Sequence, residues 1–132
     1  MYHRINTDSI AAFTCLIILA GCSHNLDNNN PTSNGPPSIN RVFWTHQAGC
    51  SAGTASKVTI SVNVSDPDNG LNDLTFSGFV SNCTGSINGA TSAVTCPQLG
   101  QYNGSVTVTD PAGSSDSITF SFGPCQDGVA TK

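Results

Sequence analysis

The chain has 132 residues, a net charge of −4 and only 9% charged residues, against ~25% in typical soluble domains. All eight acids are Asp, and 17 Ser, 14 Thr, 13 Asn and 13 Gly stand where charge would otherwise be. This excludes a coiled coil, a helical bundle and a basic nucleic-acid binder, each of which needs Lys, Arg or Glu that are missing here, and it leaves room for one domain.

Residues 1–21 read as a secretory signal, with Arg4 in the n-region and an apolar run from Ile10 to Ala20. That run is too short for a membrane span, which needs ~20 apolar residues. The next residues, Leu19-Ala20-Gly21-Cys22, resemble the bacterial lipobox. The resemblance implies a diacylglyceryl group on the Cys22 thiol, cleavage just before it, and a signal helix that is removed. Two or three acyl chains would hold the protein on a membrane, where a single chain is marginal. Ser23 stands where an Asp would resemble the inner-membrane retention signal, so the implied destination is the outer membrane.

Residues 22–37 form the lipidated cysteine and its linker. The stretch SHNLDNNNPTSNGPPS, residues 23–38, has almost nothing apolar to offset the entropy of ordering. Fully extended it reaches ~50 Å. His24 lies in it as an incidental polar residue.

From Ile39 onward the apolar residues alternate. Val58, Ile60, Val62 and Val64 share one face of a run over 57–65, and Thr59, Ser61 and Asn63 the other. Period two with β-branched residues predicts a half-buried strand. The same reading gives strands over 39–45, 74–80, 83–87, 90–96, 103–109 and 116–122, seven in all. Asp66-Pro67-Asp68-Asn69-Gly70 and Asp110-Pro111-Ala112-Gly113 punctuate them. Asn88-Gly89 is a type I′ hairpin signal joining 83–87 to 90–96. Short strands with regular turns and no helical period predict an all-β, two-sheet antiparallel sandwich over 38–126, with 127–132 as a C-terminal tail.

Gly100-Gln101-Tyr102 followed by Val106, Val108, Asp110, Gly113 and Ser115 resembles the end of an immunoglobulin-like extracellular module. Such segments occur in the polycystic-kidney-disease (PKD) type and in bacterial Ig-like repeats. Val62-x-Val64-Ser65-Asp66-Pro67-Asp68 with Leu74-x-Phe76 resembles their second and third strands. The likeness covers about 38–125. It implies the fold rather than one function, and it implies a tyrosine corner at Tyr102, whose hydroxyl would return to the backbone. The third strand lacks the Trp of many such domains, and the PKD-type Trp-Asp-Phe-Gly-Asp-Gly segment is absent.

Cys15 leaves with the signal. Cys50, Cys83, Cys96 and Cys125 remain, an even number in an exported chain, which points to disulfides. In a seven-strand up-down order all four fall at one pole. Strand adjacency favours Cys50–Cys125 with Cys83–Cys96, the other two pairings staying open. A two-residue Asn88-Gly89 turn puts Cys83 opposite Val94, a diagonal step of ~7–8 Å from Cys96. Were 83–87 not a strand, the poles would invert and 50–83 with 96–125 would follow. The cysteine spacings lack the close C-x₂₋₄-C pairs of structural zinc sites.

Catalytic groups are scarce. His46 is the single histidine of the body, no Gly-x-Ser-x-Gly elbow exists and no Glu is present, so no enzyme and no cofactor is expected. Asp66, Asp68 and Asp73 are weak Ca²⁺ candidates by their hard oxygens, although turn chemistry explains each of them. Phe43, Trp44 and Phe79 are the aromatics that alternation leaves unplaced, and Trp44 with His46 is the weak binding candidate. The expected role is a lipid-anchored, non-catalytic cell-envelope module whose partners are the membrane through Cys22 and an envelope protein or glycan. Its binding loops would lie around 66–73, 88–89 and 110–115, opposite the disulfides. A surface adhesion or carbohydrate-binding domain is the alternative, a small enzyme or inhibitor the third.

Overall fold

The alternation of apolar residues becomes strands because each buries one face. The structure, a computed structural model, describes residues 34–132. The signal peptide, its expected helix, His24 and the lipid site Cys22 lie outside the described residues. Seven strands follow in order: β1 Ser38–His46, β2 Ser56–Ser65, β3 Thr75–Val80, β4 Thr91–Cys96, β5 Tyr102–Thr109, β6 Ser115–Phe122 and β7 Gly128–Thr131. A 3-10 turn at Leu71–Asp73 precedes β3.

The strands form two antiparallel sheets, β4-β2-β1-β7 and β3-β5-β6. First, second and fifth Ig strands on one sheet facing third, sixth and seventh on the other is the immunoglobulin-like connectivity, here without a regular fourth strand. Ile39, Val42, Trp44, Val58, Ile60, Val62 and Val94 face Phe76, Val80, Tyr102, Val106, Val108, Ile118, Phe120 and Phe122 across one core. Each such side chain stabilises the fold by ~1.5–3 kcal/mol when fully buried. At the centre Trp44 stacks on both Phe120 and Phe122, with ring centroids 5.7 Å apart in each case. Gly104, cross-strand from Phe120, makes this possible: a Cβ there would lie 2.3 Å from the Phe120 ring.

The mixed pattern of the first strand has a local cause. The register of β1 on β2 shifts between Ile39 and Arg41. The extra residue changes phase, so Ile39 and then Val42 and Trp44 point inward while Phe43 points out.

Three expectations need correction. Residues 83–87 are not a strand; they make one bridge to each sheet, Thr84 to Thr95 and Ile87 to Gly78. The segment still runs back along the sandwich, so the poles do not invert. Asn88-Gly89 is not a type I′ turn, because neither residue has the positive φ that turn requires; Ser92 Oγ instead accepts from Asn88 N. Residues 127–132 are not a tail, since Gly128–Thr131 is a strand paired with β1.

Candidate functional site

The sandwich has two poles, and each gathers a different chemistry. At one, β1, β3, β4 and β6 end, and Cys50 is bonded to Cys125 and Cys83 to Cys96. The mutual hydrogen bonds of Thr84 and Thr95 make them a narrow pair. The next pair outward, Cys83 and Cys96, is therefore a directly opposed, non-hydrogen-bonded pair with Cα atoms 4.4 Å apart. The register is displaced by two residues from the one an Asn-Gly turn dictates, and the expected diagonal gap does not exist.

Gln98 knits this pole together, and nothing in the sequence singled it out. It is fully buried. Its Nε2 donates to the Cys96 carbonyl at 3.4 Å, its Oε1 accepts from Cys125 N at 2.9 Å, and its own carbonyl accepts from Gly53 N. Beside it the Tyr102 hydroxyl accepts from Leu99 N at 2.7 Å, which is the geometry of a tyrosine corner.

Neither Trp44 nor His46 is presented as a binding group. Trp44 is core, and its indole N–H donates to the Gln126 carbonyl at 2.8 Å. The His46 side chain is 3% exposed, sits edge-on to Phe122 and pairs through Nδ1 with Asp127 at 3.2 Å. Its Nε2 is buried without a partner among the described residues. The backbone N–H of His46 also bonds Asp127, at 2.6 Å, and with the imidazole it holds the Asp127 carboxyl below the ordinary carboxylate value against the opposing effect of burial.

The opposite pole holds Asp66, Asp68, Asp73, Asp110 and Asp116. Asp66 Oδ1 accepts from the backbone of Asp68 and Asn69, and Asp73 Oδ2 from Gly70 N. Asp66 Oδ2 is buried and has no partner among the described residues. No group of three or more His, Cys, Asp or Glu is placed to hold a metal ion among the described residues. The carboxylates instead receive the incoming chain. Asn34 Nδ2 donates to Asp110 at 2.5 Å, Gly35 N to Asp68 at 2.6 Å, and Ile39 N to Asp116 at 2.8 Å. Burial pushes Asp110 up, but Asn34 and the backbone N–H groups of Ser114, Ala112 and Gly113 outweigh it and hold the carboxyl low. Burial likewise opposes, and Lys132, Ile39 N and Ser117 N overcome, at Asp116, which also salt-bridges Lys132. The loops around 66–73 and 110–115 are thus occupied by the chain's own residues 34–39.

A third region lies on the flank. The outer face of β3-β5-β6 carries Thr75, Ser77 and Phe79, then Asn103, Ser105, Thr107 and Thr109, then Ser115, Ser117, Thr119 and Ser121. Phe79 is 61% exposed and borders a shallow groove of about 350 Å³. The sequence left Phe79 unplaced; its phase on β3 puts it outside.

No protein-family model and no curated protein matches the sequence. Among solved structures the chain is similar to the crystal structure of the PKD1 domain of Vibrio anguillarum Epp. The identity is 20%, over 67% of this chain and 93% of that one, with a TM-score of 0.49. The immunoglobulin-like assignment stands on the strand pairing itself.

Proposed function

We propose that the protein is a lipid-anchored, non-catalytic interaction module of a bacterial cell envelope, held on the outer membrane through Cys22. The observation that carries this reading is Leu19-Ala20-Gly21-Cys22 directly after the apolar run of residues 10–20. Two disulfides suit export to an oxidising compartment. The non-catalytic part draws support from His46, whose buried ring is committed to Asp127 and Phe122 and does not face solvent. Disulfides, a buried tyrosine corner and short turns make a rigid body suited to presenting a surface.

Metabolic labelling with an alkyne-tagged fatty acid tests the anchor. Wild-type protein should take up the label and stay with membranes after salt and carbonate washing. Cys22→Ser should take up none and accumulate as precursor or soluble protein. Cys22→Ser remaining in carbonate-washed membranes would sink the reading.

A further inference from the structure

We propose that the outer face of β3-β5-β6, centred on Phe79, is a binding site for a neutral glycan. A single exposed apolar side chain is ordinary on a protein surface, so Phe79 alone carries nothing. Three observations coincide around it. First, the groove it borders, about 350 Å³, falls at the small end of ligand sites.

Second, several side chains lining the groove have no hydrogen-bond partner among the described residues, although the Ser81 hydroxyl accepts from Asn103 N at 3.0 Å. Phe79, Ser105 and Thr119 lie in one cross-strand row. Asn103 and Ser121 are paired on the side toward the β3 C-terminus. The side chains of Asn103, Ser105, Thr119 and Ser121 make no hydrogen bond to another described residue, whereas Thr107 and Ser117 in the next row bond each other at 2.8 Å. Hydroxyls and a carboxamide offer both donors and acceptors, as sugar hydroxyls require.

Third, none of the outward side chains on these three strands is ionisable. A charged ligand would find no counter-charge here, and a neutral polyhydroxyl leaves no charge unpaired. The ring supplies the apolar half of the match: its negative face attracts the C–H face of a pyranose. Strands lie ~4.8 Å apart, so the row from Phe79 across to Thr119 spans ~10 Å. That length accommodates a short saccharide with its rim on Asn103 and Ser121. A protein partner would want several apolar anchors or Arg, and this face has one.

The inference rests on reading the protein as a non-catalytic binding module. The test is affinity electrophoresis of the full-length, detergent-solubilised protein through gels containing a soluble neutral β-glucan, soluble chito-oligosaccharide or polygalacturonate. A neutral glycan should retard the wild type and polygalacturonate should not. Phe79→Ala should weaken retardation about tenfold or more, Phe79→Trp should keep it, Asn103→Ala should weaken it several-fold, and Phe43→Ala, on the other sheet, should leave it unchanged. Wild type retarded by none of the neutral glycans, an unaltered Phe79→Ala, or equal retardation by polygalacturonate would overturn the proposal. Fatty-acid labelling of the same preparations keeps the two readings apart. Retarded but unlabelled wild type would overturn the anchor and support the face; labelled wild type whose retardation survives Phe79→Ala would do the reverse.

Discussion

The two poles of the sandwich are closed by different means. One has two covalent bonds and the buried amide of Gln98; the other has carboxylates accepting backbone and side-chain N–H groups. Backbone conformation follows the same division. Asn82, Gln98 and Cys125, the non-glycine residues with positive φ among those described, all sit beside the disulfides. At the carboxylate pole positive φ falls to Gly113. Left-handed backbone at a non-glycine residue costs ~1–3 kcal/mol and persists only where surroundings over-determine it. Cross-links let loops hold conformations that turn chemistry alone avoids.

Breaking the covalent pole should have the largest effect. Cys50→Ala/Cys125→Ala opens a link across 75 residues and should cost about 4.5 kcal/mol on the chain-entropy model. Cys83→Ala/Cys96→Ala, across 13 residues, should cost about 3 kcal/mol. Denaturant titration of both double variants checks the order; a larger loss for the short link would defeat the loop-closure account. Next, Gln98→Ala removes a fully buried amide and leaves the half-buried Cys125 N–H without its acceptor, which should cost about 2 kcal/mol. A loss below ~0.5 kcal/mol would mean that the amide contributes nothing net.

The carboxylate pole should respond to acid instead. Asp110 and Asp116 have folded values lowered from 3.8. Their stabilisation is complete above that value and is lost as pH falls through the depressed folded values. In thermal scans from pH 7 to pH 2, Asp110→Asn should melt below wild type at neutral pH, by less than Gln98→Ala does. The difference should shrink once the pH passes below 3.8. A difference independent of pH would remove the carboxylate from the account. The smallest effect is expected from millimolar Ca²⁺, which should move Tm by no more than about 2 °C, because the Asp side chains at this pole accept from the chain itself. A rise of ~10 °C would require a linked site.

The sequence made the six long strands legible because β-branched and aromatic residues at period two admit one inward face. Val58-x-Ile60-x-Val62 and Ile118-x-Phe120-x-Phe122 needed no tertiary knowledge. β7 was hidden because Gly128–Thr131 is too short to show a period; it is a strand because β1 offers it an edge. The segment 83–87 misled because Asn88-Gly89 reads as a hairpin signal that calls for a strand before it, but Asn82 and Gly85 at positive φ bend the segment from one sheet to the other. The hairpin register failed for a related reason: Asn-Gly favours a type I′ turn locally, and the bonds of Ser92 and of Val62 N to the Ala90 carbonyl outweigh that preference. At the surface, Phe79 was visible as an aromatic without a place. The buried amide of Gln98 and the bonds of Asn34 depend on loops meeting in space, which no local pattern encodes.

The Cys50–Cys125 bond also sets how the domain bears mechanical load. A pull on the chain before Asn34 first meets the hydrogen bonds of Asn34 and Gly35, and with Lys132 held it then acts on the β1–β7 pair from the end where Arg41 faces Thr131. Tension between the chain ends passes from β1 to Cys50, crosses the sulfurs to Cys125 and leaves through β7. The covalent part of that path bypasses residues 51–124, so stretching the ends cannot lengthen the chain between Cys50 and Cys125 while the bond is intact.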